Sequence, residues 1–352
     1  MFITSFGEQN ITYKCCLNFL IHLLEKLKSE GLNFSNEPQA KEFLQKITYH
    51  RFKFYLHPFL VSLDPKDKPK RFKENVDFSS AINLYLFNKE LSILILQYIS
   101  EIEVFLRKAL DSFFISQNKG YFWYLEDCYI FQPTQTQLHR FRHEDPAYKP
   151  PVRRIKSIRE KLKKQFLESQ ELHNQHYRNK YKNGGHGELE ELPPFWHISE
   201  LMTLGQLYDY INSLNVNMFI QNSRTNYLDE LALQFGATKF KHLLTWIEAL
   251  REIRNRCAHH NRVFNANYIN PNLKDINLEY RPSKPNRLYG ILLVLDAMYF
   301  KLKNEHIKKD LEAVIDKYNI DAHLTSCGFP KEWRTDKCWT QPLSLVESAS
   351  AG

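Results

Sequence analysis

Glycine is scarce in this chain, with 11 glycines among 352 residues, and the short turn signals that mark β-hairpins are almost absent. The pair Asn183-Gly184 has the residues of such a turn, but it lies in a polar stretch. Long segments rich in Leu, Ile, Lys and Glu dominate instead. This composition argues against a β-sheet protein and predicts an all-α fold.

The sequence also lacks the patterns of a disulfide-linked or membrane protein. Its six cysteines show no C-x-x-C spacing, and the neighbouring Cys15 and Cys16 are poorly placed for a disulfide. The longest apolar runs, such as 91–96 and 291–295, are too short to span a bilayer. No basic-then-apolar leader opens the sequence. We therefore expect a cytoplasmic protein with reduced cysteines and no membrane contact.

Positive charge is concentrated in one segment. The formal net charge is +8, and thirteen Lys or Arg against five Asp or Glu between residues 140 and 182 account for the whole excess. A basic segment suits a polyanion such as RNA, and its interleaved Phe141, Tyr148, Tyr177 and Tyr181 can stack on bases. The alternative is a solvated charged helix. We expect RNA contacts from Arg140, Arg142, Arg153, Arg154, Lys156, Arg159, Lys163, Lys164 and Arg178, and from Arg262 outside the segment.

The spacing of apolar residues predicts mainly helices. The segments are 11–30, 38–60, 77–117, 152–170, 198–214, 226–235, 238–258, 288–303 and 306–318. We divide the chain into an N-terminal helical region, an inserted and partly mobile basic arm, a helical core and an irregular tail. These regions cover residues 1–130, 131–190, 191–325 and 326–352.

Residues 251–265 read Arg-Glu-Ile-Arg-Asn-Arg-Cys-Ala-His-His-Asn-Arg-Val-Phe-Asn. Arginines, asparagines and two adjacent histidines are side chains that bind phosphate and move protons without a metal. The candidate catalytic residues are Arg254, Asn255, His259 and His260. The structural alternative is that Arg254, Asn255 and His259 cap the end of a helix, with Arg254 paired to Glu103.

Six apolar residues in and before this string repeat with helical spacing. On an ideal helix they form one stripe, and Arg254 falls inside it or at its edge. A charge that faces a core needs a partner or a function. Glu103 is a candidate partner, and Arg107 follows it by four residues, so the two either orient Arg254 or form a simple helical ion pair. The stripe comprises Leu243, Trp246, Ile247, Leu250, Ile253 and Cys257.

The two histidines lie far around that ideal helix from Arg254. His259 is roughly 140° away and His260 about 120° away. They can converge with Arg254 if the helix ends or bends near Ala258. The other arrangement is a site shared by two copies of the chain, as a two-fold dimer provides.

These residue types fit cleavage of RNA without a metal. One histidine would take the proton of the ribose 2′-hydroxyl, and the other would protonate the leaving 5′-oxygen. Arg254 would stabilise charge on the phosphoryl oxygens, and Asn255 would orient a histidine or nearby backbone. The expected products are 2′,3′-cyclic phosphate and 5′-hydroxyl ends. His173, His176 and His186 lack the neighbouring ligands of a zinc site, so we expect no metal or other cofactor.

The segment Arg254–Asn265 resembles the Arg-Asn-x-x-Ala-His-His-x-Arg-(Leu/Val)-Phe-Asn segment of the abortive-infection family that includes AbiD and AbiF, which is assigned to the HEPN superfamily. The resemblance extends over about residues 15–345, with Asn88 where Asp is usual and Leu204 where Phe is common. The other similar segments are Tyr49–Tyr55, Leu84–Asn88, Ile102-Glu103 with Arg107, and Leu192–Trp196 with Leu204-Gly205.

This resemblance implies a HEPN-type helical bundle that packs as a homodimer and acts as a ribonuclease. It also implies a role in phage defence, as an abortive-infection effector or a toxin, and some similar proteins are paired with a structured noncoding RNA. The basic arm is compatible with such an RNA partner. Two other functions are a HEPN RNA-binding module without cleavage and a helical protein-interaction scaffold.

Overall fold

A computed structural model describes residues 20–64, 66–181, 192–221, 225–341 and 343, without the side chains of residues 180, 181 and 225. Over these residues the chain is predominantly helical, which confirms the all-α prediction. The strands described there form one antiparallel hairpin, β1 (Ile220–Gln221) and β2 (Thr225–Asn226). The polar stretch that contains Asn183-Gly184 lies outside the described residues.

The first described helix, α1, covers residues 20–29, and it ends before Gly31, which adopts a left-handed φ of 95°. The following helices are α2 (Glu37–Lys46), α3 (Tyr49–Leu56), α4 (Phe78–Ser116), α5 (Gln135–Glu144), α6 (Pro151–Glu168), α7 (Leu172–Tyr181), α8 (Phe195–Ile198), α9 (Leu204–Asn212), α10 (Tyr227–Leu233), α11 (Phe240–Ala258), α12 (Leu288–Lys303), α13 (Lys308–Tyr318) and α14 (Asp321–Leu324). Among the described residues, no helix combines the length and hydrophobicity of a membrane span.

The chain divides into two compact units, Met1–Leu91 with Asp310–Leu324 and Ser92–Lys309 with Thr325–Gly352. In the first unit, the rings of Phe52 and Phe78 lie 5.1 Å apart in an aromatic core. Glu90 accepts hydrogen bonds of 2.7 Å from Lys317 and from Tyr318. The bond from Lys317, followed by the bond from Tyr318, lowers the pKa of Glu90. The predicted four-region division of the chain stays a prediction.

The helical stretch predicted over residues 38–60 is confirmed, with one interruption. Two helices, α2 and α3, are separated by Ile47 and Thr48, which both have extended backbone. The β-branched side chains of these two residues favour such a conformation. A 3-10 turn, His57–Phe59, follows α3 and contains Pro58.

Helix α11 is central to the second unit, where it packs against α9, α10 and α12. Every residue of its predicted stripe is buried, from Leu243 to Cys257. The long helix predicted over 77–117 is confirmed as α4. Its apolar residues at helical spacing lie on one buried face. The buried α4 residues are Ile95, Ile99, Ile102, Leu106, Ala109 and Phe113.

The helix predicted over 198–214 is interrupted. After α8 and a 3-10 turn, Ser199–Leu201, the extended Thr203 begins α9. Its hydroxyl accepts from Gln206 N, and the Gln206 side chain accepts from Thr203 N, which together form a capping box. The sequence Thr203-Leu-Gly-Gln206 carries the signal for this start.

Helix α6 contributes to the core of the second unit. It packs against α9, and one of its faces is buried. The predicted basic helix is therefore confirmed, but its apolar face is not solvated. Its buried residues, Ile155, Ile158, Leu162 and Phe166, repeat with helical spacing.

Candidate functional site

The C-terminal end of α11 carries the Arg-Asn-His string. The helix ends at Ala258, and His259 is its C-cap. His260 has a left-handed φ of 53°, and its N–H donates to Cys257 O at 2.9 Å. Asn261 N–H donates to Arg256 O at 2.7 Å. These two bonds form a Schellman motif with histidine at the position that glycine usually takes.

The helix does end at Ala258, as the first of the two arrangements considered for the histidines requires, and their convergence with Arg254 stays a prediction. His259 and His260 are both exposed. The His259 imidazole forms no hydrogen bond within the described part of the chain. The histidines therefore follow the helix on a tight turn, open to solvent.

Arg254 is held by the carboxylate that we expected. Its Nε donates to Glu103 Oε1 at 3.2 Å, and its side chain is 34% exposed. Among the residues that the structure describes, its two terminal nitrogens have no partner. Glu103 thus fixes the guanidinium from one side and leaves the outer edge of the fork open.

Arg107 connects Glu103 to the turn before α9. Its Nη2 lies 3.8 Å from Glu103 Oε2. Its Nε donates to Ser199 O and its Nη2 to Met202 O, both at 2.9 Å. The predicted helical ion pair is therefore present, and Arg107 also anchors α4 to the backbone that leads into α9.

The second half of the string has a structural role. Val263 and Phe264 are fully buried. Asn265 has a left-handed φ of 48°, and its Oδ1 accepts from Arg287 at 3.0 Å. Burial raises the pKa of the Cys257 thiol to about 11, so this cysteine is not a nucleophile.

Arg251 is an arginine at the exposed edge of α11 that we did not single out from the sequence. It lies three residues before Arg254, and its guanidinium stacks 4.6 Å from the Tyr208 ring. Burial, followed by the charge of Glu248, raises the pKa of Tyr208 to about 12. The helical spacing of Arg251, Arg254 and Asn255 already places them on one face.

The cations predicted to contact RNA fall into two groups. Arg140 and Arg142 are exposed on α5, and Arg153, Lys156 and Lys164 are exposed on α6. The contacts of this first group are exposed pairs with carboxylates one turn away, at 3.7 Å for Arg140 and 3.9 Å for Lys164. Pairs of this kind contribute little to stability, so these five cations remain available to a polyanion.

Arginines of the second group bond to the protein itself. Arg159, with its side chain 15% exposed, donates to Tyr124 O at 2.9 Å and to Asp127 at 2.5 Å. Arg154 contacts Asp209 at 3.4 Å. Both arginines join α6 to neighbouring segments of the second unit.

The remaining cations are partly enclosed. Arg178 donates to Phe166 O and, at 2.8 Å, to Ser169 O, which closes the turn between α6 and α7. Lys163 and Arg262 are half-buried. The predicted RNA contacts from Arg159 and Arg178 are therefore the least favoured, since both guanidinium groups hold backbone carbonyls.

Three of the aromatic residues predicted to stack on bases are half-buried and contact other rings of the protein. Phe141 and Tyr148 contact each other at 5.0 Å, and Tyr177 lies 4.8 Å from the His197 ring. The side chain of Tyr181 lies outside the described residues. Burial, followed by the charge of His173, lowers the pKa of His197.

Two other aromatic residues are exposed to solvent. Trp196 is 51% exposed and Tyr121 is 54% exposed. Their segments are adjacent, because Phe195 N–H donates to Tyr121 O at 2.9 Å. Trp196 belongs to one of the segments that carry the family resemblance, but nothing in its sequence pattern distinguishes an exposed ring from a buried one.

In the described ranges, no three His, Cys, Asp or Glu side chains gather as a metal ion requires. The side chains of the string at the end of α11 supply a guanidinium, an amide and two imidazoles. These groups bind anions and transfer protons.

A comparison with protein families gave one match that covers this site. The sequence model of the family described as Abi-like protein matches residues 42–265. The match includes α4 with Glu103, the basic helices and the whole string up to Asn265. No curated protein and no solved structure matched the chain.

Proposed function

The chain belongs to the Abi-like protein family, and from this premise we propose that it is a metal-independent endoribonuclease of the HEPN type. Membership of the family supports a role in abortive infection, a defence against phage. Cleavage of RNA is the activity that best fits both this role and the side chains at the end of α11.

The observation that carries the proposal is the arrangement of Arg254. Glu103 binds its Nε, so both terminal nitrogens can donate to one phosphate as a bidentate fork. The turn that follows presents His259 and His260 to solvent. An anion-binding group and two proton-transfer groups are thereby joined by a rigid helix end.

In the proposed reaction, the ribose 2′-oxygen attacks phosphorus and the bond from phosphorus to the 5′-oxygen breaks. One histidine accepts the 2′-hydroxyl proton, and the other donates a proton to the leaving 5′-oxygen. Arg254 stabilises the charge that develops on the phosphoryl oxygens. The products are a 2′,3′-cyclic phosphate and a 5′-hydroxyl, and DNA is resistant because it lacks the nucleophile.

The proposed active form is a homodimer. Ile93 and Val104 on α4 are 60% and 64% exposed, and eleven residues along a helix return to nearly the same face. Val104 follows Glu103 directly, so an apolar contact there would bring two copies of the site close together. This surface supports a two-fold arrangement that combines arginine and histidine from both copies.

We further propose that a structured noncoding RNA binds the exposed cations of α5 and α6 and restrains or guides the nuclease. These cations are Arg140, Arg142, Arg153, Lys156 and Lys164. Expression in bacteria with and without the neighbouring noncoding DNA tests this partner. Toxicity that this DNA suppresses would support it, and equal growth in both cases would count against it.

The decisive experiment compares purified wild type with Arg254→Ala and His259→Ala on single-stranded RNA and on DNA of the same sequence. We expect each variant to cut RNA about 100-fold or more slowly. Mapping of the RNA ends should give 5′-hydroxyl and 2′,3′-cyclic phosphate termini in the wild type. DNA should stay intact in every case.

Matched controls are Arg71→Ala and His22→Ala, which remove an exposed arginine and an exposed histidine of the first unit. Both should cut RNA at the wild-type rate. If all variants and the wild type give the same RNA ends, the catalytic proposal fails. RNA binding without cleavage would then favour the non-catalytic binding module.

A further inference from the structure

A cavity of about 380 Å³ lies beside the middle of α11. Its lining includes Thr245, which is nine residues before Arg254 and therefore about 14 Å away along the helix axis. The rest of its lining comes from residues 270–285, in the segment that follows the Arg-Asn-His string. The cavity is thus separate from the proposed cleavage site.

Hydrogen bonds fix the walls of this cavity. Tyr268 N–H donates to Asn286 O at 2.9 Å and closes the loop at its base. Asn272 N–H donates to Thr245 Oγ1 at 3.0 Å, and Asn272 O accepts from Trp246 Nε1 at 2.6 Å. These bonds attach the loop to α11, so the cavity is preformed.

The charges around the cavity have one sign. Lys274 and Arg281 line it and are exposed, and neither has an ion-pair partner in the described ranges. None of its lining residues is acidic. The carboxylate of the adjacent Asp275 does not line the cavity and is engaged elsewhere, because it accepts hydrogen bonds from His242 Nδ1 at 2.7 Å and from Thr238 Oγ1 at 2.6 Å. The cavity therefore offers two cations to an anion.

The neutral lining divides into amide groups and an apolar part. Asn270 and Asn272 supply side-chain amides, and Asn272 Oδ1 already accepts from Lys274 N at 3.0 Å, which leaves its NH₂ group as a donor. Leu273 and Leu278 supply apolar surface. Three prolines add rigid surface to the same wall, namely Pro271, Pro282 and Pro285.

We propose that this cavity binds a nucleoside phosphate. Lys274 and Arg281 bind the phosphate, the amides of Asn270 and Asn272 bond to polar edges of the base or ribose, and the apolar wall covers the base face. Its volume is in the range of small-ligand sites. The nucleoside phosphate is either a free mononucleotide or one nucleotide of a bound RNA, and both present the same chemistry.

The test is calorimetric titration of adenosine 5′-monophosphate into the full chain that carries His259→Ala, so that RNA is not cut in later steps. In this background we compare Lys274→Ala/Arg281→Ala with Lys284→Ala/Lys301→Ala. The second pair removes two exposed cations that do not line the cavity. We expect saturable binding that weakens at least about tenfold in the first variant and is unchanged in the second.

Adenosine and inorganic phosphate each represent one portion of the nucleotide, and each should bind more weakly than the whole nucleotide. All four substituted residues are exposed, so circular dichroism should show equal folding in every variant. Equal affinity in the two double variants, or no saturable binding of the nucleotide, would overturn the proposal. Because the readout is binding alone, its result is independent of whether the chain cleaves RNA.

Competition with a short single-stranded RNA separates the two sources of the ligand. If the RNA displaces the mononucleotide from the chain with intact cavity cations, the cavity holds one nucleotide of an RNA. If both bind together, the natural ligand is a free nucleotide. Both results support the site and differ only in what fills it.

Discussion

Two basic regions of this chain use the same residue type in opposite ways. On α6, the guanidinium of Arg159 donates hydrogen bonds to Tyr124 O and Asp127. On α11, Arg254 is held through Nε alone, by Glu103. The first guanidinium joins segments of the fold. The second is fixed in place through Nε, and its two terminal nitrogens can still donate to a ligand. Net charge alone does not distinguish a cation that holds the structure from one that can bind a ligand.

The largest expected effect is on the rate of RNA cleavage, in an experiment that tests whether the site at the end of α11 is shared between two chains. Arg254→Ala and His259→Ala should each be inactive alone. When the two variants are mixed and exchange subunits, the mixture should recover a measurable fraction of the wild-type RNA cleavage rate. In a mixed dimer, one chain supplies the arginine and the other supplies the histidine. The measurement is cleavage before and after mixing.

The double variant Arg254→Ala/His259→Ala mixed with wild type provides the reference for subunit exchange. If the mixture of single variants stays inactive although exchange is complete, arginine and histidine act within one chain. The surface around Ile93 and Val104 would then have no role in assembling the site.

A smaller effect concerns the free energy of unfolding that Arg159 contributes. Arg159→Ala removes two charge-assisted hydrogen bonds and should lower the free energy of unfolding by about 1.5–3 kcal/mol. Lys156→Ala, on the exposed side of the same helix, should change it by less than about 0.5 kcal/mol. Urea denaturation measures both. Equal stability of the two variants would mean that Arg159 does not hold α6 in place.

The smallest effect concerns the exposed cations of α6. Arg153→Glu/Lys156→Glu/Lys164→Glu should weaken RNA binding and reduce the slope of log affinity against log salt by about 0.7 for each phosphate that is no longer neutralised. Lys301→Glu/Lys309→Glu/Lys331→Glu has the same net charge and changes exposed residues elsewhere. Identical slopes for the two variants would show that only overall charge attracts RNA.

Much of the fold was readable from the sequence because apolar spacing is strong in the long helices. The extent of α4 and the buried stripe of α11 followed directly from it. The apolar repeat of α6 was equally readable, but the cations of this segment were interpreted as an RNA-binding surface, with a solvated helix as the alternative, and the buried face was not predicted. The break at Ile47-Thr48 carries no glycine or proline, and the preference of its two β-branched residues for extended backbone is too weak to predict it without tertiary packing.

The site was predictable in part. Arg254 lay at the edge of a buried stripe, which required a partner, and Glu103 occupied a flanking position on another long helix. The helix was predicted to end at residue 258, but the turn that carries the histidines was not predictable, because a Schellman motif usually has glycine where this chain has His260. The exposure of Trp196 depends on which segments cover it, and local sequence does not contain that information.

The left-handed backbone at His260 has a consequence for how this residue should be dissected. An alanine there removes the imidazole but keeps a Cβ in a conformation that costs about 1–2 kcal/mol for non-glycine residues. Glycine removes the imidazole and relieves that cost, while asparagine keeps a polar side chain that tolerates the same φ. His260 thus adopts a backbone conformation that favours glycine over its own side chain. Comparing His260→Gly with His260→Asn separates the chemistry of the imidazole from the shape of the turn.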